Sequence, residues 1–565
     1  MEIQGKNALV LGGYGLVGMA VCRRLLERRP ARLVVGSLRR WEAVSAIERL
    51  ERESGGYGAR IEPAWGDLLL RAEWQDAPDG VHPRMAVLAD PQRRGRLVAD
   101  ILDELNEDIL TSSLLYQHIL GASPGLGDHR ADIVVDCVNT ATAVAYQNVF
   151  QTAARLRSRI ESGEETDWPE EVERLLSALY VPQLVRHVQI FYEAMVRAET
   201  QAYVKVGTSG TGGMGFNIPY THGEERPSRV LLSKSAVAGA QTMLLFLLAR
   251  TPGGPRIVKE IKPTAAIAWK EIGFGPIRKG GREIALYDCP PEQSYELGAP
   301  ATLTPEGEFG RRVEGRLESV YIDTGENGLF SADEFSAITT LGQMEFVTPE
   351  EIAENVLGEL EGRNTGKDVV AALDSSVMAP SYRAGFLRQS ALTRLRQLEE
   401  QHGVDSVAFE ILGPPRLSKL LYEAHLLRRA CGTLGEALRL EATALSQECL
   451  RLISGDASLR QRILSIGIAI LLPDGRSLLR GPSIKAQDAE HGWVDLRPEN
   501  LAHWQERLAA LRAEIQLALS DSEASSRIDR AYPAMLEWRD DDSFDEGEIA
   551  GWIFIREERG RRGKS

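Results

Sequence analysis

The stretch Ala8-Leu9-Val10-Leu11-Gly12-Gly13-Tyr14-Gly15-Leu16-Val17-Gly18 decides how the chain is read. Ala8–Leu11 has the length and composition of a buried strand. Glycines follow at 12, 13, 15 and 18. Val17, Val21, Leu25 and Leu26 then share one face of a helix over Val17–Glu27. A strand, a glycine turn and a helix in that order let backbone approach a pyrophosphate, with the helix amides and dipole turned towards it. Adjacent Gly12 and Gly13 satisfy both GxGxxG and GxxGxxG. Gly12, Gly13, Gly15, Leu16, Val17 and Gly18 are therefore the expected dinucleotide-binding turn.

Outward from this turn the pattern alternates. Arg32–Gly36, Ile61–Trp65, Ile133–Cys137 and Ala202–Val206 read as strands, and Trp41–Glu53 as a helix. Strands alternating with helices predict an α/β fold, a Rossmann-type doubly wound parallel sheet. Two insertions interrupt it. One, near 68–130, holds a helix around Leu97–Leu110; the other, near 147–182, holds a polar, surface-like stretch, Glu161–Glu173. The expected domains are a dinucleotide-binding domain over 1–300, a substrate-side extension over 301–362 and a mainly helical region over 363–565. In the extension Gly298–Gly315 reads as a loop, and Thr348 as the N-cap of a helix Pro349–Glu361. Beyond it, Tyr382–Leu452 is helical almost throughout, with Leu417–Leu427 amphipathic. A hairpin near 466–479 turns at Pro473-Asp474-Gly475, Glu499–Leu519 is a long helix, and Trp552–Ile555 is strand-like.

The chain has 565 residues and a net charge of −15, with 43% hydrophobic and 26% charged residues. This composition excludes overall disorder and argues against a protein that coats nucleic acid or anionic membrane. The five cysteines form no CxxC pair, which points to a reducing compartment, the cytoplasm. Uninterrupted apolar runs such as Met243–Ala249 and Ile468–Leu472 are too short for a bilayer span, and a strand beginning at Asn7 leaves no room for a leader.

The second strand ends Gly36-Ser37-Leu38-Arg39-Arg40, without the acid that usually accepts the ribose hydroxyls of NAD. Ser37, Arg39 and Arg40 stand where a 2′-phosphate would be held, so NADP is expected and NAD remains possible; the two arginines also fit plain surface residues. Asp67 would face the adenine amino group or cap a helix. The run Asp323–Glu334 has part of an EF-hand pattern, with Asp323, Asn327, Gly328 and Glu334 in place. Gly325 brings no oxygen at the third position, however, and a turn leading into a helix fits better. No metal site is expected, and the acidic run Asp540–Glu548 reads as solvated.

These features resemble the short-chain dehydrogenase/reductase superfamily, in its extended, epimerase/dehydratase-like branch, over roughly residues 1–300 and towards 362. Gly12–Gly18 and Asp67 match its cofactor motifs, and Asn139 and Thr140 lie where that family approaches the nicotinamide ribose. Thr208-Ser209-Gly210 occupies the place of its catalytic Ser. Glu224-Glu225-Arg226-Pro227 and Ser233-Lys234-Ser235-Ala236 match its acidic-Pro stretch and Tyr-x-x-x-Lys helix, and Ile261-Lys262-Pro263 its strand under the nicotinamide. The resemblance implies a proton relay in which Lys234 binds the ribose and lowers a Tyr pKa while Ser209 holds the substrate oxygen. The position four before Lys234 is Val230, which has no proton to give. Tyr220, or His222, in the preceding loop is the candidate replacement. The resemblance implies an NADP-dependent oxidoreductase, or an epimerase/dehydratase, acting on a small-molecule carbonyl or hydroxyl, with homo-oligomerisation. A chain with its relay lost would instead be a non-catalytic NAD(P)-binding redox sensor or scaffold.

Overall fold

A computed structural model describes residues 1–54, 58–75, 81–122, 130–163, 167–207, 229–263, 265–297, 307–325, 328–340, 346–363, 368–370, 375–378, 381–411, 415–520 and 542–558. They fall into two compact units. The first draws on Met1–Gly215, Pro227–Ile267 and Phe346–Ala384, and the second on Ala268–Glu345 and Gly385–Ser565.

The first unit is built on eight strands. Six come from its amino-terminal part: β1 (Asn7–Leu11), β2 (Arg32–Ser37), β3 (Arg60–Trp65), β4 (Ile133–Asp136), β5 (Ala202–Val206) and β6 (Ile257–Pro263). Their spatial order, β3-β2-β1-β4-β5-β6, is all parallel. This is a Rossmann-type doubly wound sheet. Its order reverses between β1 and β4, and ligands in such sheets bind at the carboxyl ends beside that switch. Each central strand is apolar on both faces. Ala8 and Val10 enter one core layer while Leu9 and Leu11 enter the other, as expected of parallel strands covered by helices on both sides.

One layer holds α1 (Leu16–Glu27) and α2 (Arg40–Ser54). The insertion after β3 folds as α3 (Pro83–Ala89), α4 (Pro91–Leu102), α5 (Glu107–Ser112) and α6 (Leu114–Leu120). The single helix expected over Leu97–Leu110 is divided, because Asn106 caps the amide of Ile109 and starts a new helix. After β4 come α7 (Thr140–Ala145), α8 (Val149–Ser162), α9 (Trp168–Ser177) and α10 (Tyr180–Ala198). Within the stretch read as surface, Glu171 is buried against Arg155. After β5 comes α11 (Arg229–Arg250). Among the described residues it is the one helix long and apolar enough to cross a membrane, by length and composition alone. Counting only uninterrupted apolar runs missed it, since Ser, Gly and Gln punctuate the segment. It packs on α7, α10 and β6.

The division of the chain differs from the expected one. Helix Pro349–Glu361 returns to the first unit and packs on α1, started by a capping box between Thr348 and Glu351. Strand Ser375–Met378 pairs parallel with β6, and Asp368–Val370 pairs antiparallel beyond it. The reason is physical: without these segments the β6 edge and the flank of α1 on that face of the sheet would lie open.

In the second unit the segment read as a loop includes strand Arg311–Arg316, paired with Ala285–Asp288. The expected hairpin forms between Ile470–Leu471 and Ser477–Leu479, closed by Asp474 accepting from the amides of Arg476 and Ser477. Helix Pro415–Cys431 is buried along the whole of Leu417–Leu427 instead of on one face. Its polar groups have partners: Glu423 accepts from the Trp504 indole at 2.7 Å, and His425 meets Glu546 at 3.1 Å. The segment Trp552–Ile555 is helical, within Glu546–Glu558. Gly547 and Gly551, one turn apart, face Ser336 of helix Ala332–Thr339 and Thr340 at its end, where a Cβ would lie 2.4 and 2.6 Å from their side chains. That glycine spacing marks a close helix–helix approach and could have identified the helix.

The calcium-like run ends in the start of that same helix. Ser331 and Glu334 form a capping box, and Glu334 also accepts the amides of Phe409 and Glu410. Burial raises its carboxyl to about 7 despite these bonds. The folded state therefore holds a proton that an unfolded glutamate releases. Stability from this group is full below about pH 4.5 and is lost as pH rises through about 7. Glu334→Gln should flatten the fall of unfolding free energy over that range, measured by urea denaturation at several pH values. Parallel slopes for variant and wild type would contradict this.

Candidate functional site

The glycine turn is held by its own backbone. The Gly13 amide donates to Gly36 O at 2.8 Å, and the Gly15 amide to Gly12 O at 3.1 Å. Gly12 has φ +76°, a conformation costly to any side chain but readily adopted by glycine. A Cβ on Gly13 would sit 2.6 Å from Val35 Cγ1, and one on Gly18 would sit 2.1 Å from Gly12 O. The first turn of α1 has no side-chain cap and no acidic residue. Its free amides and dipole favour an anion in front of the turn.

A cavity of about 210 Å³ adjoins this turn along the carboxyl ends of β1 to β4. Gly12, Ser37, Asp67 and Thr140 line it from the sheet side; His82, Arg84, His118, Gln147 and His187 line it from the helices. Asp67 is buried, and its Oδ1 accepts the Leu69 amide at 2.9 Å. It thus caps its own turn and also faces the cavity. Burial pushes the imidazoles of His118 and His187 down to about 4, so both are neutral at pH 7.

At the end of β2 the structure brings in a residue that sequence reading passed over. Glu42, in the first turn of α2, accepts from Ser37 Oγ and from the Arg39 amide, both at 3.0 Å. Three positions separate Arg39 from Glu42, a capping spacing the sequence already contained. Arg39 Nη1 donates to Val81 O, and exposed Arg40 lies over the Trp65 ring.

Past β4, Asn139 caps α7 through the Thr142 amide, and Thr140 is buried. A second unforeseen group lies alongside. Lys205 on β5 pairs with Asp136 on β4 at 2.9 Å, both almost fully buried. Lys205 also donates to Val138 O and approaches Thr140 Oγ1, while Tyr203 donates to Asp136. A pair this deep stands only because its hydrogen bonds are met. In register beside Lys205 is buried Glu260, whose Oε1 would lie 2.3 Å from a Cβ on Gly207. A side chain at Gly207 would displace that carboxylate. Pro263 ends β6, half-buried. Lys234, in α11, is half-buried, with Val230 one turn before it. Ser209, Tyr220 and His222 lie outside the described residues.

Residues 286–558, just under half of the chain, match the family model described as the beta-methylindole-3-pyruvate reductase C-terminal domain. No curated protein matches the chain. Solved structures similar to it include a short-chain type dehydrogenase/reductase from Mycobacterium ulcerans, at 13% identity over 70% of this chain and 99% of that one, with a TM-score of 0.29. A short-chain dehydrogenase/reductase from Serratia marcescens matches at 14% identity over 68% and 100%, with a TM-score of 0.29. Pen from Bacillus thuringiensis matches at 11% identity over 47% of this chain and about half, 53%, of its own length, with a TM-score of 0.25. At these scores the fold assignment rests on the strand order itself.

The glycine turn yields a direct test. Gly18→Ala places a methyl group against Gly12 O and should lower the melting temperature and abolish dinucleotide binding in calorimetry. Gly239→Ala, with nothing within 4 Å of the added carbon, should do neither. An unchanged melting temperature in Gly18→Ala would show that the close approach is not required.

Proposed function

We propose that the chain is an NAD(P)-dependent oxidoreductase of the short-chain dehydrogenase type, reducing the carbonyl of an aryl-substituted 2-oxo acid. One observation carries the cofactor half of this reading: the uncapped start of α1, pressed against the glycine turn and opening beside the cavity. The substrate half is supported by the family model, whose description names a reductase of a β-substituted indole-3-pyruvate. A nicotinamide would supply the hydride, and the chain's residues would bind, orient and protonate.

In this reading Gly13, Gly15 and Gly18 admit the pyrophosphate, Asp67 accepts from the adenine amino group, and Asn139, Thr140 and Pro263 border the nicotinamide ribose. Lys234 holds that ribose and lowers the pKa of a phenol. Ser209 holds the carbonyl oxygen, and Tyr220 delivers the proton that Val230 cannot. The position of Val230 on the helix of Lys234 favours a second reading, a nucleotide-binding sensor without turnover.

The readings part in one assay. NADPH or NADH oxidation should be seen with indole-3-pyruvate or phenylpyruvate. Tyr220→Phe should abolish it while leaving nucleotide affinity nearly unchanged, because only proton transfer is lost. Lys234→Met should weaken both. Nucleotide binding with no turnover on any aryl-pyruvate would favour the sensor. Full activity in Tyr220→Phe would remove Tyr220 from the reaction.

A further inference from the structure

The cavity beside the glycine turn contains a buried charge with no direct ion-pair partner among the described residues. Arg84, the second residue of α3, is only 8% exposed. Its Nη2 donates to Gln147 Oε1 at 2.8 Å and to Ser177 O at 2.7 Å. Both acceptors are neutral, and among the described residues no carboxylate lies within ion-pair distance of Arg84. Among the described residues, the hydrogen bonds of its guanidinium leave from Nη2, and the side chain lines the cavity. Asp67, the carboxylate in the same wall, acts on Arg84 only through space and is already held by the Leu69 amide.

A guanidinium cannot shed its proton to escape burial. Removing such an ion from water costs several kcal/mol unless an opposite charge and hydrogen bonds compensate. Neighbouring groups add to the deficit. His118 and His187 are neutral and bring no negative charge. Behind His187, a separate cavity of about 40 Å³ is lined by Arg186, whose Nε and Nη1 are buried without partners. Two other buried arginines in the same unit are paired with carboxylates. Arg71 holds Asp100 and Asp108, and Arg94 holds Glu173. Arg84 stands apart in facing an open cavity next to a turn built to admit phosphate.

We propose that Arg84 is the buried counter-charge for a phosphate of the bound dinucleotide, supplied by the insertion between β3 and β4 and not by the end of β2. This rests on the dinucleotide reading of the glycine turn and deepens it. Nε and Nη1 point to different sides of the guanidinium, so each offers a single charge-assisted hydrogen bond to a phosphate oxygen while Nη2 stays on Gln147 and Ser177. Because it is desolvated, its bond outweighs one made by Arg40, which is exposed and screened. Glu42, already paired with Ser37 at the end of β2, makes that end less hospitable to an added phosphate. Two phosphates are within the nucleotide's chemistry, the 2′-phosphate of NADP and the pyrophosphate common to NADP and NAD.

Calorimetry with NADP, NAD, 2′-AMP and ADP on the full chain tests this. Arg84→Met should weaken binding by about ten- to a hundredfold, the range of a charge-assisted hydrogen bond. A loss confined to NADP and 2′-AMP assigns the 2′-phosphate, and an equal loss for NADP, NAD and ADP assigns the pyrophosphate. Arg84→Lys should retain part of the affinity, and Arg40→Ala most of it. Thermal melting without nucleotide guards against a merely structural role: Arg84→Met should melt no lower than wild type, because a buried charge without a direct ion pair is gone. Wild-type affinity in Arg84→Met, or a fall in affinity matched by a fall in the nucleotide-free melting temperature that Arg84→Lys does not rescue, overturns the proposal. Wild-type protein that binds none of the four nucleotides overturns the dinucleotide reading with it.

Discussion

The first unit depends on one close approach, that of Gly18 to the carbonyl of Gly12. With a Cβ 2.1 Å from that oxygen, any other residue would push the start of α1 away from the end of β1. The approach has three consequences. It brings the positive end of the helix to the sheet's switch point. It aligns Met19, Val21, Cys22 and Leu25 with the core face of the sheet. It also places α1 beside helix Pro349–Glu361, which joins the same core cluster. The glycine turn and the start of a core-packing helix are here the same piece of chain.

Around that turn, charge is placed with economy at the ends of the strands. Asp136 and Lys205 neutralise each other in the interior, and Tyr203 and Val138 satisfy their remaining hydrogen-bonding capacity. Asp67 and Glu42 are held by amides and hydroxyls. Arg84 is the exception, and it comes from an insertion and not from the sheet. An enclosed charge without a direct ion-pair partner is costly in an empty protein, and an anionic ligand would relieve that cost.

Much of the sheet was legible because buried parallel strands are short apolar runs with turn signals at both ends. Ala202–Val206 matches its expected limits, and β1 to β4 lie within one residue or so at each end. The insertions were harder. Asn106 restarts a helix in the middle of an apolar pattern, and periodicity alone cannot show that break. Trp552–Ile555 was ambiguous for the same reason, although Gly547 and Gly551 carried the helical spacing. The extension of the sheet by Ser375–Met378 depends on an edge formed more than a hundred residues earlier, which no local pattern contains. At the site, glycine positions were readable because backbone geometry demands them. Glu42, Lys205 and Arg84 were not, because what matters in each is the partner, or its absence, across space.

The most direct test of this account is a crystal structure of the full chain with a bound dinucleotide. The account predicts the pyrophosphate before the start of α1, within hydrogen-bonding reach of the amides of the Gly13–Gly18 turn, and the adenosine half in the cavity lined by Asp67 and Arg84. Nucleotide bound elsewhere, with that cavity empty, would contradict it.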